Sequence, residues 1–422
     1  MLMHPLTVNG NSRLPFWARV REFAVSPSMI ESATARRAVG DWSGACAAAR
    51  IDVDLNLRAA GRVHGREFAA QVRADLRHLA PDLLRWHFPR IGPDGLVRPG
   101  LTVSLARYPS GTQLVARTPP AWADAGQRIS LALWEPSRPA AGAGRHPHPR
   151  PDRRFRLDLH RHLWDARRTG ELWERSGAAQ WFAGDDSGLH NSCAVNRWAG
   201  EAALLLRADE RAEGAVVVRL GSRQRLVLNL GEAAEPSGGR ALPVLPDAAT
   251  WVLPDLELLR AGLIDADRLH PLVAAGLLLE PGTSRSPDGS GNSRLVECRG
   301  GTHRIGVVDG VLVPLDHAAD EIRREELLVA LGGTPLPCLQ AIDAAHRRPE
   351  SLDDVRAHLD HGATSTALAI VEGLLGPDVL LRGGALRDEL ETAVQRRVAH
   401  GLYRAGLTGV GLAPSTSDST KR

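Results

Sequence analysis

Phe68, Val72, Leu76 and Leu79 recur at spacings of four, four and three, the period that lines up one face of an α-helix. Upstream, Ser28 and Glu31 stand in the capping-box spacing, in which a hydroxyl and a carboxylate each satisfy a backbone N–H left open at a helix start. A helix opening at Ser28 is therefore expected. Gly40-Asp41-Trp42 reads as a turn, and Ala45, Cys46, Ala48 and Ala49 are small enough to pack a short second helix against the first. Between these helices and the one carrying Phe68, the run Ile51 to Leu57 alternates strictly, as a strand or an extended connection does. Residues 1–91 thus read as a helical region with one extended stretch.

From Gly92 the punctuation changes to Gly and Pro. Leu101 to Tyr108 and Gln113 to Arg117 flank Pro109-Ser110-Gly111-Thr112 as hairpin strands, and Arg128 to Trp134 extends them to a β-meander over 92–135. Residues 136–152 are mostly Pro, Ala, Gly, Arg and His without periodicity, which predicts a linker or exposed loop. In 153–317, Phe155 to Leu163, Ala202 to Arg207, Ala215 to Leu220 and Arg225 to Leu230 read as strands, and Asp255 to Leu279 as two helical pieces. Arg294 to Cys298, Arg304 to Val308 and Val311 to Leu315 follow, with Asp309-Gly310 favouring a type I′ turn. Strands that arrive in hairpin-like groups make this a central α+β domain rather than a doubly wound sheet.

Beyond Ala318, breaks at Gly332-Gly333, Pro349, Gly362 and Gly383-Gly384 separate helices only, and Ser351 with Asp354 repeats the capping-box spacing. Leu386, Leu390, Ala393, Val394 and Val398 form one stripe of the last helix. This helical module covers 318–412, and the Ser/Thr-rich tail 413–422 is expected to be disordered. The expected fold class is α+β: a helical N-terminal region, a central mixed body with antiparallel hairpin-connected strands, and an all-helical C-terminal module.

Val39-Gly40-Asp41-Trp42-Ser43-Gly44-Ala45 and His361-Gly362-Ala363-Thr364-Ser365-Thr366-Ala367 both place a Gly after a helix and an Ala five residues later. The arrangement resembles the turn of a tetratricopeptide helical hairpin, where Gly permits the tight turn and Ala lets the helices approach. The likeness covers roughly 25 residues at each end and lacks the consecutive repeat units of that family.

Composition narrows the chemistry. Of 422 residues, 43% are hydrophobic and Lys+Arg 52 stand against Asp+Glu 49, an ordinary folded composition long enough for two or three domains. Lys421 is the only lysine. P-loop, protein-kinase and Schiff-base chemistries all require a lysine within a folded site, so they are excluded. Cys46, Cys193, Cys298 and Cys338 lie far apart with no Cys-x-x-Cys pair, which argues against a zinc ribbon and a disulfide framework and for reduced thiols in the cytoplasm. No run approaches 18 apolar residues and Met1 to Arg13 has no apolar core, so neither membrane spanning nor secretion is expected.

The richest local pattern is Phe155-Arg156-Leu157-Asp158-Leu159-His160-Arg161-His162, which on a strand would put Arg156, Asp158, His160 and His162 on one face. Imidazoles two residues apart on a strand can converge on zinc or manganese, and Asp158 would supply a hard ligand or orient a ring. The His-x-His pair is similar to that of the amidohydrolases, whose eight strand–helix units are not visible here. Asp185, Asp186, His190 and Cys193 add ligands downstream; Cys193 with His190 and Cys298 with His303 are candidate thiol–imidazole pairs. Asp52, Asp54 and Asn56 imitate the start of an EF-hand loop that fails at Leu57 and Val63. Between Arg145 and Arg168 eight Arg stand against three Asp. Arg153, Arg154, Arg156 and Arg161 are the candidate anion-binding residues, and Trp164, Trp173 and Trp181 could stack on bases.

Missing catalytic motifs and helical hairpins at both ends lead to a non-enzymatic cytoplasmic interaction or scaffold protein, binding a protein partner through its helical modules without a cofactor. Nucleic acid is the less favoured partner. The alternative is a metal-dependent hydrolase built on Asp158, His160 and His162, acting on a phosphate-bearing substrate drawn in by the adjacent arginines.

Overall fold

The computed structural model describes residues 13–136, 146–182, 192–221, 223–231, 241–277, 294–298, 301–308, 311–314, 316–340, 350–375 and 384–407. They divide into two units, Met1–Leu279 with Val394–Arg422, and Glu280–Ala393. The class is α+β with helical N- and C-terminal regions, as expected. No described helix is long and apolar enough to cross a membrane.

The first unit opens with α1 (Arg13–Arg19), a π-helical turn at Val20–Ala24, α2 (Pro27–Ala38) and α3 (Trp42–Ala48). The cap of α2 is Ser26, whose hydroxyl accepts from the Met29 N–H at 3.4 Å, with Pro27 at the first helical position. The helix therefore begins before the expected Ser28, because Pro27 already has its φ fixed and no N–H to lose. Gly40 makes the α2–α3 turn at φ +78°, Asp41 caps α3 through the Gly44 N–H at 2.8 Å, and Ala45 is fully buried. β1 (Ile51–Val53), α4 (Leu57–His64), α5 (Arg66–His78) and α6 (Pro81–Trp86) follow, α5 burying Phe68, Val72 and Leu76 as its period predicts.

After a short hairpin, β2 (Arg90–Ile91) and β3 (Leu96–Val97), the expected meander forms as β4 (Thr102–Arg107), β5 (Gln113–Arg117) and β6 (Ile129–Trp134). The alternating run at Ile51 is the fourth strand of this sheet. β1 lies parallel to β6 with Ile51 opposite Ile129, giving the order β1-β6-β5-β4. One core joins Val72, Leu76, Leu84 and Trp86 to Val103, Leu114, Ile129 and Leu131 and on to Leu256 and Val273. Helical region, meander and part of the central region thus share one apolar interior. Residues 137–145 lie outside the described part, but 146–152 pack on the meander. His146 is buried with Nε2 on the Thr118 carbonyl at 2.9 Å, and the Asp152 N–H donates to the Thr102 carbonyl at 2.9 Å.

The remainder of the unit holds α7 (Leu172–Arg175), α8 (Ala178–Phe182), α9 (Val195–Ala208), the hairpin β7 (Gly214–Arg219) and β8 (Arg225–Leu230), then α10 (Asp247–Thr250), α11 (Pro254–Arg260) and α12 (Pro271–Gly276). Two expected strands are absent. Ala202 to Arg207 lies within α9, where Trp198, Ala202, Leu205 and Leu206 form a helical stripe against Val216 and Val218. Phe155 to Leu163 is a run of turns ending in a 3₁₀ segment at Arg161–Leu163. Its polar alternates Arg156, His160 and His162 are buried beside Phe155, Leu157 and Leu163, so the solvent face that strand alternation implies does not exist.

In the second unit β9 (Arg294–Cys298), β10 (Gly301–Val308) and β11 (Val311–Pro314) form an antiparallel sheet in the order β11-β10-β9, as their sequence predicts. The Asp309-Gly310 turn is outside the described residues. Then come α13 (Ala319–Ala330), α14 (Glu350–Asp360), α15 (Thr364–Leu375) and α16 (Ala385–Arg404), whose residues from Val394 belong to the first unit. Gly362 turns α14 into α15 at φ +80°, and Val355, Leu359, Ala367 and Val371 meet in a small core completed by Leu386, Leu390 and Ala393. The rest of the α16 stripe, Val394 and Val398, is exposed.

Two stability predictions follow from this packing. Glu201 on α9 is buried and bonded to Arg175 Nε and Nη2, both at 2.8 Å, and to His160 Nε2 at 3.1 Å. Burial pushes its carboxyl pKa up, but the His160 and Arg175 bonds outweigh this and bring it down to about 2. A carboxylate with a depressed folded pKa stabilises above its unfolded value and loses that contribution as pH falls. Urea melts of the native chain should weaken between about pH 4.5 and about 2, whereas Glu201→Gln should cost about 3 kcal/mol at pH 7 and lack that acid limb. In the second unit, Ala367→Leu should cost about 1–3 kcal/mol by overpacking the hairpin, read as faster amide hydrogen exchange in α14 and α15.

Candidate functional site

β1 carries Asp52 opposite Ser130, and the chain then turns through Asp54, whose N–H donates to the Leu131 carbonyl at 2.8 Å. Asn56 caps α4 by accepting from the Ala59 N–H at 3.0 Å. The Asp-x-Asp-x-Asn run that imitates a calcium loop thus lines one wall of a cavity of about 460 Å³. α4 gives a second wall with His64, the end of β5 gives Arg117, and α16 brings His400, Tyr403 and Arg404.

Most charges around the cavity are already paired. Arg128 holds Asp52 through Nε at 2.9 Å and through Nη2, while Arg404 bridges Asp52 at 2.6 Å and Asp54. Burial raises the Asp52 pKa, but the Arg128 and Arg404 guanidiniums outweigh it and hold the carboxyl below its usual range. His64 Nε2 lies 3.1 Å from Glu135 Oε1. His146 uses both ring nitrogens, Nε2 donating to the Thr118 carbonyl and Nδ1 accepting from the His148 N–H at 3.2 Å. Burial lowers its pKa, which matches that neutral tautomer.

Two groups are left over. Arg117 is only 9% exposed, and its Nε and Nη2 have no hydrogen-bond partner among the described residues. Burial lowers its pKa, Tyr403 and Asp54 oppose the shift, and a guanidinium stays charged in proteins. His400 gives Nδ1 to the Ala123 carbonyl at 2.9 Å, which leaves Nε2 buried and unpartnered. Tyr403 packs edge-on against Trp122 with ring centroids 5.7 Å apart, and burial raises its pKa, so the hydroxyl keeps its proton as a donor. An unmatched guanidinium, a phenol and an imidazole in a polar cavity suit an oxyanion.

The residues singled out in the sequence lie elsewhere and are largely occupied. Asp158 accepts from Arg156 Nε and Nη2, both at 2.9 Å, and pairs with Arg107 Nε at 3.1 Å. His160 is buried between the Arg156 carbonyl and Glu201. His162 is buried edge-on to His160 at 5.8 Å, and burial holds its pKa well below the usual value. The ligand atoms of Asp158, His160 and His162 do not come together as a metal-binding group. Of the four candidate anion-binding arginines, Arg154 pairs with Asp247, Arg156 with Asp158 and Asp209, and Arg161 with Asp75 and Asp165; Arg153 is exposed.

Trp164 is fully buried with its indole N–H on the Leu157 carbonyl at 3.0 Å, and Trp173 stacks on Phe182. The side chain of Trp181, and all of Asp185, Asp186 and His190, lie outside the described residues; the Cys193 thiol is buried and unbridged, and its backbone pairs with Trp251 in an isolated antiparallel β-bridge. Sequence reasoning missed Arg117, His400, Tyr403 and Arg404. The usable signal was Arg117 itself, a single charge closing the apolar run Leu114-Val115-Ala116. No protein-family model, curated protein or solved structure matches this chain.

Proposed function

We propose that this chain is a binding protein of a reducing compartment that recognises a small carboxylate- or phosphate-bearing molecule in the cavity of its first unit. The observation that carries this reading is Arg117, a buried guanidinium with two N–H-bearing nitrogens unmatched. Burying an unpaired cation is costly, and a bidentate oxyanion both neutralises it and satisfies its donors. The cavity of about 460 Å³ falls within the volume range of small-molecule sites. Recognition is favoured over turnover because Asp52, the carboxylate nearest the centre of the charge network, is held ionised and weakly basic by two arginines. Four buried, unbridged thiols fit a reducing compartment.

Calorimetric titration and thermal shifts with inorganic phosphate, pyrophosphate and a series of small mono- and dicarboxylates test the assignment. At least one class should bind, and Arg117→Met should weaken it at least tenfold, since hydrogen bonds to charged groups contribute about 1.5–3 kcal/mol. The same variant should be more stable than the native chain without ligand, because the unpaired charge is gone. Binding unchanged in Arg117→Met, or no binding across the series, would overturn the reading.

A second reading, a protein partner docking on the helical module, is favoured by the end of α13. There Leu327, Leu328 and Leu331 are 62%, 51% and 89% exposed. Apolar side chains gathered on one helix end are the kind of surface a partner covers. A Leu327→Glu, Leu331→Glu double variant that stays folded should lose proteins captured by the native chain; unchanged capture would count against this reading.

A further inference from the structure

β9 ends at Cys298, His317 lies two residues before α13, and the helical stretch 337–340 carries Cys338. These residues are about 20 positions apart along the chain, so folding rather than a local motif assembles them. Their ligand atoms all lie within 4.8 Å of one another, and they are the one such group of three or more His, Cys, Asp or Glu side chains among the described residues. Both thiols are buried, at 1% and 0% exposure. The His317 side chain is 3% exposed, with Nδ1 3.2 Å from Glu321 Oε2 and Nε2 buried without a hydrogen-bond partner. A carboxylate on one ring nitrogen fixes the tautomer and leaves the other nitrogen's lone pair to ligate, the usual support of a metal-bound histidine. His303 of β10 stacks on His317 with ring centroids 4.3 Å apart, and its Nδ1 is likewise buried and unpartnered.

Without a cation His317 Nε2 and His303 Nδ1 stay buried without a hydrogen-bond partner among the described residues. Two thiolates side by side repel, and a divalent ion is what lets both ionise. Two soft sulfurs and an imidazole nitrogen select zinc over magnesium, calcium or manganese, which prefer oxygen. Ligands about 2.0–2.3 Å from a tetrahedral zinc stand about 3.5 Å from each other, so the observed group closes on the ion with shifts of about 1 Å.

We propose that Cys298, His317 and Cys338 form a structural zinc site, with His303 turning to supply the fourth ligand, that ties the end of β9 to the start of α13 and to residues 337–340. The site shares no residue with the anion cavity or with Asp158, His160 and His162, and it draws in Cys298 and His303, which the sequence paired as thiol and imidazole.

Full-length protein prepared without chelator or a histidine tag should contain one zinc per chain by elemental mass spectrometry. Cys338→Ser and His317→Ala should lose it, whereas Cys193→Ala should keep it. To make the test independent of how the variants fold, the native chain is also loaded with cobalt. Thiolate-to-cobalt charge transfer and the ligand-field bands of a tetrahedral centre are expected. His303→Ala should retain the thiolate bands but bind zinc at least tenfold more weakly; unchanged affinity would overturn the fourth ligand. Folded native protein that takes up no zinc from excess, one zinc retained in Cys338→Ser, or a cobalt spectrum without thiolate bands would overturn the site.

Discussion

Buried guanidinium groups that donate to carbonyl and carboxylate oxygens tie the segments of the first unit together. Arg85 is fully buried and donates from Nε to the Ala24 carbonyl at 3.0 Å and from Nη1 to the Gln127 carbonyl at 2.6 Å. Asp75 on α5 takes Arg161, Arg167 and the Tyr108 hydroxyl, so one carboxylate ties a helix, the β4–β5 turn and the 161–167 segment. Such groups are costly to bury, and removing one partner leaves an uncompensated charge, so the pairing constrains how the segments can meet. An ammonium could not do this as well, since the planar fork of arginine reaches two acceptors at fixed angles. The scarcity of lysine therefore matters to the architecture.

The same constraint explains why the cavity stands apart. Where Arg154, Arg156 and Arg161 are closed off by aspartates, Arg117 is buried at the end of β5 with two nitrogens unmatched. Asp54 and Tyr403 offset its burial only in part, and Asp52 and Asp54 are engaged by Arg128 and Arg404. Arg85, Arg90 and Arg197 also keep one nitrogen unmatched but bond through their others, whereas Arg117 has two unmatched, and the proposed anion site rests on that difference.

Much of the architecture was legible in the sequence, and little of the site. The α5 period and the β4–β6 meander were readable because their apolar residues face one core and their polar residues do not. Phe155 to Leu163 misled because period two implies a wet face only when polar residues have water to meet, and here Arg156 finds Asp158 and His160 finds Glu201 instead. Ala202 to Arg207 misled because a short apolar run has no period of its own, and Trp198 upstream supplies the helical one. Asp52 and Asp54 were noticed for the wrong chemistry: a local motif test asks about ligands within a dozen residues, and their partner Arg404 comes from the far end of the chain.

The second unit faces a different constraint. Its described helical core is small, built from Val355, Leu359, Ala367 and Val371 with help from Leu386 and Leu390. The β9–β11 sheet carries its own buried thiol at Cys298, and Leu336 and Cys338 are buried at the other end of α13's segment. Apolar area on this scale stabilises a hairpin of helices better than it fixes a three-stranded sheet, since each buried CH₂ contributes only about 0.8 kcal/mol. Thiol and imidazole groups drawn from β9, the segment before α13 and 337–340 come within 4.8 Å of one another, and the proposed ion would give these segments, about 20 residues apart, the directional link that the apolar residues do not. Spacing does not show such a cluster, because ligands drawn from three separate elements leave no Cys-x-x-Cys signature.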